Sequence, residues 1–184
     1  MKFSNPGISS SYAANRLGET LYNYILVKRP KHIGEFGIYN AYSTICMAQA
    51  LDEIGEGKIT AYDLWDTNEK RGRSSMDVAV RNVVQAGLDK YVTIEQGNFW
   101  DIDCDQFDMI HLDIDNDGEI LERAAEKLKN YKGMVIFEGG SEERDNCPQM
   151  NGRKKMHGSA KYVILNPRFP SMSMLICKTD DKKE

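Results

Sequence analysis

The residues best able to do chemistry in this chain are four acids, Glu35, Asp63, Asp113 and Glu138, each closing a short apolar run. Such runs read as strands, and in open α/β sheets ligands bind outside the carboxyl ends of the strands. Any one of these acids could simply cap the helix that follows it. Four gathered on one edge repel each other unless a cation or hydrogen-bond donors offset them. The expected occupant of that edge is therefore cationic. Glu35 opens the segment EFGIYNAYST, in which small residues, Gly37 and Ala41, stand at the two ends of a turn. The turn lacks a complete G-x-G-x-x-G, and the chain has no G-x-x-x-x-G-K-[ST], which points away from a P-loop and weakens a dinucleotide site. A nucleoside-bearing, cationic cofactor remains. Asp63 is placed to accept hydrogen bonds from a ribose diol. Asn98, Phe99 and Trp100 can offer a polar edge and an aromatic face to an adenine, the alternative being that the two aromatics only cap the core. Glu35 could anchor an ammonium or favour a sulfonium.

Asp113, Asp115 and Asp117 are spaced two apart, so on an extended chain they share a face. D-x-D-x-D-G is also how an EF-hand loop begins, but Asp113 ends a buried strand and a helical face starts at Leu121, which argues against calcium. Asp113 with Glu138 on a neighbouring strand could hold one hard divalent cation, with water and substrate oxygens completing the shell.

The elements that must position these residues follow from periodicity. A loosely held arm, residues 1–11, precedes an amphipathic helix over Tyr12–Val27, closed by Pro30. Strands are expected at His32–Phe36, Lys58–Trp65, Tyr91–Glu95, Phe107–Asp113 and Met134–Glu138. Between them fall helices beginning at Ser43 or Thr44, at Ser74 or Ser75 (ending at Gly87), and at Glu119 (ending at Tyr131). Thr67–Arg73 is a charged loop and residues 141–160 a polar, irregular insertion. Two further strands, Lys161–Leu165 and Ser173–Cys177, follow one another without a helix and make a hairpin. The fold class is α/β: a doubly wound, mostly parallel seven-stranded sheet, Rossmann-like, with an antiparallel final strand. One domain covers 1–184, with arm and cap helix over 1–30 and the Rossmann-like core over 31–178.

The chain of 184 residues is 41% hydrophobic and 28% charged, with a net charge of −4. That mildly acidic balance gives no electrostatic case for nucleic acid. The basic clusters at Lys28–Arg29, Lys70–Arg73 and Arg153–Lys155 are short and offset by acids, although the last could grip a phosphorylated or sulfated acceptor. No apolar run is long enough for a membrane span, and the first twenty residues lack the apolar core of a secretory signal. Four scattered cysteines and three histidines argue against structural zinc and suit free thiols in a reducing cytoplasm.

In its order of elements the chain, over roughly residues 31–178, resembles class I S-adenosylmethionine-dependent methyltransferases. The segment Glu35–Thr44, with an aromatic at Tyr39, is similar to the loop of the catechol O-methyltransferase type. The resemblance implies that Gly37, Ile38 and Tyr39 line the methionine part of the cofactor, that Ser43 meets its carboxylate, and that Asp113 faces it too. It implies magnesium ligands at Asp113 and Glu138, and, from the sugar O-methyltransferases, a base at Asp115. His157, in the insertion that could form a lid, is a second candidate base or an ordinary surface histidine. Three positions depart from the pattern: Ala41 replaces a glycine, Gly139 a metal ligand and Asn116 a catalytic lysine. The function expected is methyl transfer from S-adenosylmethionine to a hydroxyl of a small metabolite, with an optional Mg2+. The rivals are a metal-independent methyltransferase acting on nitrogen or a carboxylate, and a non-catalytic cofactor-binding accessory protein. A homodimer is compatible with the sequence.

Overall fold

A computed structural model describes residues 2–65, 75–115 and 117–177. The charged loop 67–73, Ser74, Asn116 and the terminal tail lie outside the described residues. Seven strands form one sheet: β1 (His32–Phe36), β2 (Lys58–Asp63), β3 (Val92–Gln96), β4 (Met109–Leu112), β5 (Met134–Glu138), β6 (Tyr162–Asn166) and β7 (Met172–Leu175). Their spatial order is β3-β2-β1-β4-β5-β7-β6. The first five run parallel. β7 enters antiparallel between β5 and β6, so the terminal hairpin expected from sequence reaches the sheet through its second strand. The order reverses between β1 and β4, which is where ligands of such sheets collect.

Strand alternation assigns each side chain to a face. From β1, Ile33 goes to the core under helices α1 (Leu17–Lys28) and α2 (Tyr42–Ile54), and Phe36 to the opposite core. From β4, Met109 goes to the first and Ile110 and Leu112 to the second. The second core lies under α4 (Gly118–Lys127), through Leu121 and Ala124. α3 (Met76–Gln85) is capped by the Ser75 hydroxyl, which accepts from Val78 N–H. The short α5 (Glu142–Asp145) follows β5.

Two expectations are corrected. The single helix from Tyr12 breaks into a 3-10 turn, Ser11–Asn15, and α1, because Arg16 takes a left-handed conformation at φ 63°. The arm is also not loose. Ser4 and Gln49 exchange two hydrogen bonds, Ser4 N–H to Oε1 at 2.9 Å and Nε2 to Ser4 O at 2.8 Å, and Phe3 and Ile8 pack on the first core. All four cysteines are free thiols.

Candidate functional site

A cavity of about 760 Å³ opens at the carboxyl ends of β1, β2, β4 and β5. Its floor is the turn after β1. Gly37 sits at φ 84°, and a Cβ there would come within 2.1 Å of Asp113 O, so the turn touches the end of β4 only because that residue is glycine. Tyr39 and Ala41 also take left-handed conformations, φ 47° and 66°. Asp63 holds the turn in this shape: its Oδ2 accepts from the N–H groups of Ile38 and Tyr39, both at 2.9 Å. Among the described residues its Oδ1 has one long contact, 3.4 Å, with Trp65 N–H, and keeps acceptor capacity toward the cavity. The residue expected to take a ribose thus also clasps the glycine turn.

At the β3 side, Asn98 Oδ1 accepts from Trp100 N–H at 3.2 Å, a local turn that sets both side chains at the cavity wall. Phe99 is buried. It meets Phe36 edge-on at 5.0 Å, and Phe36 stacks on Tyr62 at 5.3 Å. Phe99 is therefore both a core residue and a wall residue. Arg123 lies over the Trp100 ring at 4.5 Å, and Lys127 donates to the carbonyls of Trp100 and Ile102.

The other end of the cavity gathers acids. Asp113 and Glu138 both line it, near enough that the charge of one acts on the other. Burial first, then the charge of Glu138, holds the Asp113 carboxyl well above the usual range. Glu35 is absent from the wall. It lies fully buried beneath, accepting from Ser43 Oγ at 2.5 Å and paired with His111 Nδ1 at 3.0 Å. Ser43 does line the cavity, so a cofactor group would meet its hydroxyl and not the Glu35 carboxylate. Tyr12, from the turn before α1, completes this end, with Ser9, Ser10 and Ser11 beside it. Sequence periodicity absorbs Tyr12 as an apolar helix position. The signal for His111 was a histidine within an otherwise apolar buried strand.

The protein donors gathered here are too few to fill the shell of a hard cation, which would need water and substrate oxygens to complete it. Position 139, where a third oxygen ligand would stand, is a glycine at φ 113° whose Cβ site is filled by Met156 Sδ at 2.5 Å. A thioether is a soft neighbour for a cation that wants oxygen. Among the described residues no group of three His, Cys, Asp or Glu side chains could hold a metal ion. Asp113 and Glu138 do stand together at the cavity wall, as their positions on β4 and β5 imply, with no third protein ligand of that kind among the described residues.

The two candidate bases sit in different surroundings. Asp115 lines the cavity but forms an ion pair with Arg153, whose guanidinium engages its Oδ1. Lys154 pairs with Glu122 on α4 and its N–H donates to Asp117, while Lys155 donates to Asn146, so the basic run 153–155 is tied both to the segment after β4 and to the one after β5. His157 lies outside the cavity lining. Its Nδ1 is 3.4 Å from Gly140 O and its Nε2 3.6 Å from Glu142, while its N–H donates to Asp145. It anchors the loop after β5.

The fit to a cationic nucleoside cofactor is good: a glycine turn, a carboxylate with acceptor capacity, an aromatic wall and two further acids share one cavity. Known proteins share the fold. The O-methyltransferase from Bacillus cereus, solved with S-adenosylhomocysteine, is 18% identical with a TM-score of 0.61, covering 95% of this chain and 84% of that one. TomG from Streptomyces achromogenes, an O-methyltransferase of tomaymycin synthesis solved with S-adenosylmethionine, is 18% identical with a TM-score of 0.58, over 89% and 80%. An S-adenosylhomocysteine-bound methyltransferase from Podospora anserina is 15% identical with a TM-score of 0.63, over 94% and 80%. At these identities the likeness establishes the fold. A comparison with curated protein sequences gives no match. The family model described as "Methyltransferase domain" matches residues 35–137, from the buried glutamate of β1 through all but the last residue of β5. The chain belongs to the methyltransferase-domain family and has the class I, S-adenosylmethionine-dependent methyltransferase fold.

Proposed function

We propose that this protein transfers the methyl group of S-adenosylmethionine to a hydroxyl of a small metabolite, without a divalent metal. The observation that carries the reading is one cavity with two chemically distinct ends. One end, at Gly37, Asp63, Phe99 and Trp100, suits the cofactor's nucleoside and methionine. The other, at Tyr12, Asp113 and Glu138, offers acceptors and donors to a hydroxyl. When bound, S-adenosylmethionine supplies an electrophilic methyl carbon on a sulfonium. The chain's own task is to align an acceptor oxygen with that carbon and give the acceptor's proton somewhere to go, an orientation effect joined to general base catalysis. Asp63 fixes the turn under the cofactor, and the acidic end favours the sulfonium cation. Asp115, neutralised by Arg153, orients the acceptor mouth.

Two measurements test this. Calorimetry should find S-adenosylhomocysteine binding to the isolated protein; no binding at high ligand would sink the enzyme reading and the accessory-protein rival alike. Transfer of tritiated methyl from S-adenosylmethionine to a panel of small alcohols and phenols should then persist in EDTA. Loss of turnover in EDTA, restored by Mg2+, would overturn the metal-free assignment.

A further inference from the structure

The turn after β1 is braced from a second side. Asn82 Nδ2, from α3, donates to the carbonyl of Asn40 at 2.9 Å, across 42 residues of chain. Asparagine is a poor helix former, because its side chain competes for backbone groups close by. Here the side chain reaches another element instead. Ala79 and Val83 are buried, and the half-buried Asn82 stands between them on the face that α3 turns inward. The amide nitrogen must be the atom at this contact, since a carbonyl only accepts. The Asn40 carbonyl has no place in α2, where the capping residue Ala41 supplies the acceptor for Ile45 N–H. The peptide unit that carries it also carries Ala41 N–H, which donates to Ile38 O at 2.7 Å. Both ends of that peptide are therefore pinned. Tyr39 and Ala41, on either side of Asn40, hold left-handed conformations. Such a backbone persists only where its surroundings over-determine it.

Asp63 and Asn82 hold opposite polarities of one turn. Asp63 accepts from the N–H groups of Ile38 and Tyr39, and Asn82 donates to the carbonyl that follows them. Gly37 to Asn40, Tyr42 and Ser43 line the cavity, and Asn82 is not among the lining residues. We propose that Asn82 is a positioning residue for the cofactor, holding the Asn40–Ala41 peptide, and with it the turn and the start of α2, in the shape that the ligand meets. The inference rests on the cofactor reading of this end of the cavity. It has a reciprocal consequence. If the bond favours the binding shape of the turn, an occupied turn favours the bond and seats α3 more firmly. The helix has room to respond: it buries Ala79 and Val83, while Met76, Val80 and Val84 are exposed.

The test compares the parent with Asn82→Ala, which removes the donor, and Asn82→Asp, which keeps the size and sets an oxygen against the Asn40 carbonyl. Gln85→Asp adds the same charge at an exposed position of α3 and is the control. Calorimetry with S-adenosylhomocysteine should find affinity about fivefold weaker in Asn82→Ala and about 30-fold weaker in Asn82→Asp, with Gln85→Asp within about twofold of the parent. A packing role would reverse the order, because alanine loses volume that aspartate keeps. Weaker binding by Asn82→Ala than by Asn82→Asp, parental affinity in both, or an equal loss in Gln85→Asp would overturn the proposal. The second readout needs only Asn82→Ala, and so stands even if Asn82→Asp does not fold. Hydrogen exchange of the Met76–Gln85 amides should slow when S-adenosylhomocysteine saturates the parent and slow less when it saturates Asn82→Ala. Equal slowing in the two proteins would also overturn it. A parent that does not bind S-adenosylhomocysteine would end the cofactor reading and this inference together. A parent that binds it, with variants that match it, would end this inference alone.

Discussion

Asp63 shows how one carboxylate can serve the fold and the ligand together. Removing it by Asp63→Ala strands the N–H groups of Ile38 and Tyr39 and removes the acceptor offered to a ribose. Because the site is half-buried and water can replace part of what is lost, the stability cost is about 1 kcal/mol. The larger effect is on binding: S-adenosylhomocysteine affinity, read by calorimetry, should fall about tenfold or more. An unchanged affinity would move the ribose elsewhere. Asp115 and His157 make the opposite case. With Asp115 held by Arg153, Asp115→Asn should cost less than about tenfold in kcat, short of what loss of a general base costs. His157→Ala should leave turnover unchanged, since its ring sits against Gly140 and Glu142 outside the cavity. At this scale the sequence was legible where an acid ended a strand. It was silent on which acids face the cavity and which, like Glu35, lie beneath it, because that depends on the partner each side chain finds across the sheet.

The elements carried more of their own signal. Apolar runs and glycine punctuation set out all seven strands to within a few residues, since strands buried on both faces leave near-continuous apolar runs. The break between the 3-10 turn and α1 left no such mark: Arg16 adopts φ 63° without a glycine to announce it. Nor did the insertion of β7 between β5 and β6, which depends on pairing between strands distant in sequence. The most constrained junction is that of β1 with the end of β4. Gly37→Ala puts a methyl group 2.1 Å from Asp113 O at a φ unfavourable to any side chain. The expected loss is about 2–4 kcal/mol in urea unfolding, with cofactor binding abolished as the turn moves. Retention of parental stability would mean that the two strand ends can part without consequence.

For the molecule as a whole, the acid cluster is a trade of stability for function. The Asp113 carboxyl keeps its proton in the folded state at pH values where the unfolded chain, titrating at about 3.9, has released it. The folded state then binds more protons, so this group's contribution is full below about pH 4 and is lost as pH rises through the raised folded-state value. In cofactor-free protein, Asp113→Asn should be at least as stable as the parent at neutral pH. Its urea midpoint should also change less than the parent's between acid and neutral pH. A parent that gains on the variant across that window would reverse the sign and the argument. The arm has a different consequence at the same scale. Ser9–Tyr12 wall the cavity, yet they precede every strand and are held through side chains such as Phe3 and Ile8 and through Gln49. Ser9, Ser10 and Ser11 can therefore be rewritten by mutation while the buried Tyr12 and the seven-stranded frame stay as they are. On the reading proposed above, what the cavity accepts can drift over evolutionary time far faster than the frame that holds it.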